Sequence, residues 1–195
     1  MLQRNEQGAL LVLARRTIAD RLRLEFIAPA ELEELLLTSP TFSEKRGAFV
    51  TLYKKGALRG CIGYIEAIEP LAEAIREMAL AAAFRDPRFP PLTADEFDEI
   101  DIEISVLSPI YPIEDPQTVV VGEHGLIVSY RGRRGLLLPQ VPVEQGWDRE
   151  TFLQHTCMKA GLPPDALEQG AQLEGFTAIV FGEKDDLHSD AQSGH

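Results

Sequence analysis

Phe49-Val50-Thr51-Leu52-Tyr53-Lys54-Lys55-Gly56-Ala57-Leu58-Arg59-Gly60-Cys61-Ile62-Gly63 reads as two β-rich runs joined by Lys55-Gly56, the composition of a tight hairpin. The second run sets a cysteine between two glycines and two residues after an arginine. Glycine inside a strand marks a bulge or a close backbone approach rather than a packing position. In a regular strand Arg59 and Cys61 point the same way, because alternate side chains share a face. A guanidinium beside a thiol favours the thiolate, the reactive form. The competing reading is an inert core cysteine, since free cysteine is among the most buried residue types.

Outward from this hairpin the periodicity predicts an α+β protein, with a mainly antiparallel sheet flanked by helices. Leu10, Leu11, Ala14, Ile18 and Leu22 recur at helical spacing over residues 7–23, and a short second helix follows Pro29 over residues 31–37. Leu71, Ala74, Ile75, Met78 and Ala82 form one stripe of a helix that starts near Pro70 and ends before Pro87. Thr93 and Glu96 have capping-box spacing. Ile100, Ile102, Ile104 and Val106 alternate with Asp101, Glu103 and Ser105, a strand with one apolar face. Residues 118–121, 126–131 and 136–141 read as further strands. Trp147, Asp148 and Phe152 have the spacing of a hydrophobic staple around an N-cap, opening a helix to about Ala160 that carries Cys157 inward. Residues 172–183 close the fold as a strand. Residues 1–183 are expected to form one domain with two lobes, and 184–195 a flexible polar tail.

Two segments are alike: Val50 to Gly60, and Val128-Ser129-Tyr130-Arg131-Gly132-Arg133-Arg134-Gly135-Leu136. Each joins a strand to a basic glycine turn, a second strand and then a helix, which suggests an internal duplication. The 195 residues are 45% hydrophobic and 26% charged, an ordinary globular balance. The net charge of −12 disfavours general nucleic-acid binding, which rests on cationic contacts to phosphate. The sign is uneven, however. Lys45, Arg46, Lys54, Lys55 and Arg59 occur without an intervening acid, and Arg131, Arg133 and Arg134 form a second basic cluster, so a small anionic ligand is the expected partner. No apolar run has the length of a membrane span, and no secretory signal is recognisable. Two distant cysteines without a paired motif point to a reducing, cytoplasmic setting, with no structural zinc and no disulfide framework.

Leu58-Arg59-Gly60-Cys61-Ile62-Gly63 resembles the signature of the AMMECR family. So, in order, do Ala82-Ala83-Phe84-Arg85-Asp86-Pro87-Arg88-Phe89-Pro90-Pro91-Leu92, Glu103-Ile104-Ser105-Val106-Leu107, Leu137-Leu138-Pro139-Gln140-Val141 and Cys157-Met158-Lys159-Ala160-Gly161-Leu162-Pro163-Pro164. The resemblance runs from about Phe49 to Glu183. The chain has Leu167 where family members often carry tryptophan. The resemblance implies a cleft between the lobes. It further implies a role beside Memo-like dioxygenase-fold and radical-SAM proteins in a modification pathway of RNA or a small metabolite. It names no cofactor.

A nucleophilic Cys61 needs a base. His188 and His195 fall in the tail, and His155 sits on the face of its helix opposite Cys157, which leaves His124, in a turn between Gly122 and Gly125. Arg59, Gly60, Gly63, Asp86, Arg88, Glu103, Ser105 and Gln140 are the candidate ligand-binding residues. Arginine forks match carboxylate or phosphate. Their competing role is internal salt bridging: Asp86 lies between two arginines, and an inward Glu103 needs a cation, Arg59 being the nearest idea. Cys61, His124, Asp86 and Glu103 lack metal-ligand spacing. The competing function is a non-catalytic interaction or scaffold module.

Overall fold

A computed structural model describes residues 2–185, which divide into two units: residues 2–106 with 179–185, and residues 107–178. The architecture is α+β, and its sheet pairings are antiparallel. In the first unit, α1 (Arg4–Leu22) begins where the Glu6 carboxylate takes the Gln3 N–H, and Leu10, Ala14 and Ile18 along it are fully buried. The short α2 (Ala30–Thr38) follows Pro29. β1 (Ala48–Lys54) pairs with β2 (Ala57–Tyr64) on one side and β3 (Ile100–Leu107) on the other. α3 (Leu71–Phe84) lays Leu71, Ile75, Met78 and Ala82 into one core with α1 and with Val50, Leu52, Ile102 and Ile104 of the strands. The 3₁₀ turn Ala94–Glu99 carries the expected Thr93–Glu96 capping box.

The second unit contains β4 (Tyr111–Pro112), the hairpin β5 (His124–Tyr130) and β6 (Arg133–Leu137), α4 (Gln140–Gln145) and α5 (Arg149–Lys159). The first part of β7 (Gln172–Gly182) pairs with β4 and β5, and the end of β7 belongs to the first unit. Asp148 caps α5 by accepting the Thr151 N–H at 2.8 Å, as its spacing predicts. Phe152 and Cys157 are buried with Leu126, Val128 and Leu173, and Leu167 packs against this cluster. Trp147 stacks on His155, with ring centroids 3.9 Å apart.

One expected strand is absent and another is displaced, β6 running Arg133–Leu137 where residues 136–141 are expected. Residues 118–121 do not pair, because Asp115 accepts the Gln117 N–H and Pro116 opens a 3₁₀ turn, Pro116–Thr118. β6 stops at Leu137, and the chain then turns helical. Pro139 has no N–H for a ladder, its φ of −58° suits a helix start, and Gly146 closes α4 in the left-handed region at φ 67°. Lys184, expected to belong to a loose tail, holds Asp101 at 2.6 Å. The remainder of that tail, with His188 and His195, lies outside the described residues.

The repeat seen in the sequence has a structural counterpart within each unit. Both hairpins turn through two residues of positive φ, Lys55 (52°) with Gly56 (81°), and Arg131 (48°) with Gly132 (81°), the left-handed pair that matches strand twist. A Cβ on Gly60 would overlap the Ala82 carbonyl oxygen near the end of α3; one on Gly135 would overlap the Ala160 nitrogen at the end of α5. In both units, then, a glycine of the second strand lets a helix end pack directly on the sheet, that of α3 in the first unit and that of α5 in the second. Among the described residues no helix is long and apolar enough to cross a membrane.

Candidate functional site

The signature lies on β2, and the register shows how its residues are used. Thr51 of β1 stands opposite Cys61 on one side and Glu103 on the other, so these three form one row across β2, β1 and β3. In the next row Phe49 stands between Gly63 and Ser105. A side chain on Gly63 would overlap the Phe49 ring. The half-buried Cys61 thiol lies 3.2 Å from the Thr51 hydroxyl. Glu103 accepts from the Tyr53 hydroxyl at 3.4 Å.

Arg59 departs from this pattern. The register shifts between Leu52 and Tyr53, so that Arg59 is the extra residue of a β-bulge. A bulge breaks the alternation expected to join Arg59 to Cys61 and re-aims the side chain. Arg59 instead grips Glu96, with Nε donating to Oε1 at 3.0 Å and Nη2 to Oε2 at 2.9 Å. Lys54 adds a third bond to Glu96 at 3.1 Å, and Thr93 N–H a fourth. The Arg59 bonds, helped by Lys54 and Thr93, hold the Glu96 carboxyl down to about 2. The expected Arg59–Glu103 pairing is therefore replaced by Arg59–Glu96. Although Arg59 is only 7% exposed, its Nη1 is buried with no hydrogen-bond partner.

Asp86 and Arg88 fasten the edge of β2. The Asp86 carboxylate accepts the Cys61 N–H at 2.9 Å, the Arg88 N–H at 3.0 Å, and the Arg88 guanidinium at 3.0 and 2.7 Å. Arg88 then donates to the Cys61 carbonyl at 3.1 Å. Together the two side chains meet both backbone groups of Cys61, as a neighbouring strand would, and so block an edge otherwise open to pairing. Arg88, supported by the two backbone donors, holds the Asp86 carboxyl well below the usual carboxylate range. The guanidinium groups of Arg59 and Arg88 both lie over the Phe89 ring, at 6.0 and 5.6 Å from its centroid.

The AMMECR1 family model matches residues 11–181 of the chain. The chain belongs to the AMMECR1 family. A protein of Methanothermobacter thermautotrophicus is 47% identical over 191 residues, covering 93% of this chain and 96% of its own. One of Methanocaldococcus jannaschii is 51% identical over 151 residues, 73% of this chain and 75% of its own. The crystal structure of an uncharacterised protein from Pyrococcus horikoshii, 45% identical, superposes with a TM-score of 0.70 and covers 90% of each chain. The family match begins well before Phe49, so α1 belongs to the AMMECR1 unit as much as the signature does.

Within this AMMECR1-family chain the remaining candidates fall in the second unit. His124 opens β5, where its Nδ1 accepts the Val120 N–H at 3.0 Å and its ring meets Tyr111 edge-on. Its local work is to close the turn that contains Gly122. Gln140 is the exposed first residue of α4. Among the described residues no group of three or more His, Cys, Asp or Glu side chains is placed to hold a metal ion. Both cysteines are free thiols; Cys157 is fully buried, and burial raises its pKa. Sequence reasoning missed Glu96, Thr51 and Phe89 as neighbours of the signature. Glu96 carried a signal: a capping-box glutamate spends its oxygens on one backbone N–H and has lone pairs to spare for a cation.

Proposed function

We propose that the protein is a cytoplasmic enzyme or enzyme-accessory subunit that takes its ligand at the Leu58–Gly63 strand. Its setting is a modification pathway of RNA or a small metabolite, alongside Memo-like and radical-SAM proteins. Packing accounts for most of the signature: Gly60 admits α3, Gly63 admits Phe49, the Cys61 backbone is fastened by Asp86 and Arg88, and two nitrogens of Arg59 hold Glu96. Two groups are left over, the half-buried Cys61 thiol and Arg59 Nη1. The observation that supports the reading most is the second. A buried donor without a partner costs about 1–3 kcal/mol, which an oxygen of a bound ligand would recover.

The test is a native mass-spectrometry screen of the whole protein and its Arg59→Met variant against a metabolite extract. Glu96 keeps Lys54 and the Thr93 N–H in the variant, so the fold should survive while retention of an oxygen-rich species is lost. Unchanged retention, or unfolding of the variant, would assign Arg59 a purely structural role. Alkylation separates the two cysteines: with iodoacetamide on the native protein, Cys61 should be modified and Cys157 only after denaturation. A Cys61 as slow as Cys157 would favour the alternative, a non-catalytic interaction module. The specific observation for that alternative is the Asp86–Arg88 clamp, which makes the signature edge rigid without requiring any chemistry.

A further inference from the structure

α1 buries Leu10, Ala14 and Ile18 in the core, yet a second side of it is apolar as well. Gly8, Leu11, Val12 and Arg15 follow Arg4 at helical spacing, and with Phe26 and Leu32 they line a cavity of about 550 Å³ within the first unit. The side of a helix turned to water is ordinarily polar. Here Leu11 is buried, and Val12, Phe26 and Leu32 are half-buried. Gly8 is the most telling residue. A Cβ built on it would lie 3.7 Å from the nearest atom of Leu32, an ordinary contact, so packing does not demand a glycine there. Glycine is also a poor helix former, and what its missing side chain leaves in this helix is open cavity.

Five charged side chains line the same cavity, and most of their charge is already answered. Arg15 grips the Glu183 carboxylate with Nε and Nη2, and gives Nη1 to the Phe97 carbonyl at 3.0 Å and Nη2 to that of Ile100 at 2.7 Å, so all three of its nitrogens are used. Arg4 has a partner of its own. Nearby Arg16 is paired with Glu33, and Lys184 with Asp101. Glu31 and Asp185 remain. Both are exposed and line the cavity, and among the described residues neither meets a cation. The first turns of α1 and α2 also contribute to the wall, and each carries its own acid against the helix dipole, Glu6 in one and Glu31 in the other. No donor there is left waiting for an anion.

We propose that this cavity binds a small molecule with an apolar body and one protonated amine. Its volume lies inside the range of ligand pockets, about 300–1,000 Å³. The body lies against Gly8, Val12, Phe26 and Leu32, and the ammonium meets Glu31 and Asp185. A carboxylate or phosphate in its place faces these two acids and finds both arginines taken, and a neutral molecule covers the acids without answering their charge. The net charge of −12 draws the cation in from a distance. The site shares no residue with the signature strand and does not rest on the reading given to Cys61 and Arg59.

The experiment is a titration of the ¹⁵N-labelled full chain with tryptamine at pH 7, followed by amide NMR shifts, with indole-3-ethanol and indole-3-propionate as the neutral and anionic counterparts. Saturable shifts are expected at residues 8–15, 26–32 and 183–185, with tryptamine binding at least tenfold more tightly than the propionate. Gly8→Leu, which fills the cavity and improves the helix, should weaken binding at least tenfold without lowering the thermal midpoint. Glu31→Gln with Asp185→Asn, two exposed positions, should weaken tryptamine severalfold and leave indole-3-ethanol unchanged, which separates binding from folding. Arg59→Met and Cys61→Ser should change nothing. No saturation at millimolar tryptamine, equal affinity for the three indoles, or unaltered affinity in the Gly8→Leu protein would each overturn the proposal. Shifts of the same residues on raising the protein concentration alone would show a second copy covering the cavity, and would overturn it as well.

Discussion

Alanine at Gly60 should destabilise the protein by about 3 kcal/mol or more, and alanine at Gly135 should do the same, the upper end of what overpacking costs. At each position the added Cβ meets backbone, the Ala82 carbonyl oxygen in one unit and the Ala160 nitrogen in the other. A flexible side chain would swing aside at small cost; a helix end fixed by its own core cannot. Met78 and Ala82 hold α3 against Val50 and Leu52, and Phe152 and Cys157 hold α5 against Leu126 and Val128. The stiffer unfolded chain returns only about 0.4–1 kcal/mol for a Gly→Ala change. Gly56→Ala is the control. Its φ is +81° but its Cβ direction is open, so the cost there is the left-handed penalty of about 1–2 kcal/mol. Urea unfolding of the three variants measures all of this. If Gly60→Ala or Gly135→Ala cost no more than Gly56→Ala, close helix approach is not what these glycines provide.

That pair of glycines also shows what a sequence does and does not disclose. The alternation of Ile100, Ile102, Ile104 and Val106 announced β3 because one face is apolar and the other polar. Asp148 announced α5 because an N-cap needs an oxygen three residues before a free N–H. These are local rules, and they held. The second-strand glycines could be seen as marking close approach, but their partners lie at the far ends of α3 and α5 and have no local signal. Arg59 is the harder case. A regular strand puts it with Cys61, and only the register between Leu52 and Tyr53 shows the extra residue that turns it to Glu96. A bulge is a relation between two strands, so it leaves no periodic trace in either one. Pro139 misled for a related reason. Apolar residues on both sides read as one interrupted strand, whereas proline's missing N–H and fixed φ let the chain leave the ladder and enter α4.

Replacing Asp86 by asparagine should cost about 2–3 kcal/mol, somewhat under the figure for breaking a fully buried ion pair, because the Arg88 partner is 53% exposed and can turn to water while Asp86 is 1% exposed and cannot. The carboxylate serves four donors at once, and an amide offers one oxygen and sets N–H groups against the donors that remain. The loss should depend on pH, with a definite sign. Arg88 holds the Asp86 pKa below its unfolded value of about 4, so its contribution is complete above that value and is lost as pH falls through the folded one. Glu96 behaves alike under Arg59, from its ordinary 4.5 down to about 2, but it is present in both proteins and cancels in their difference. The stability gap between the wild type and Asp86→Asn should therefore be constant from pH 7 to about 5 and narrow steadily below about 4. Urea midpoints at closely spaced pH values measure it. The variant should also associate more readily at high concentration, since the Cys61 N–H and carbonyl regain an edge on which another strand can pair. A gap that stays constant down to about pH 2 would mean the carboxylate's charge contributes nothing. No gap at any pH would mean that the edge of β2 is held by something other than Asp86 and Arg88.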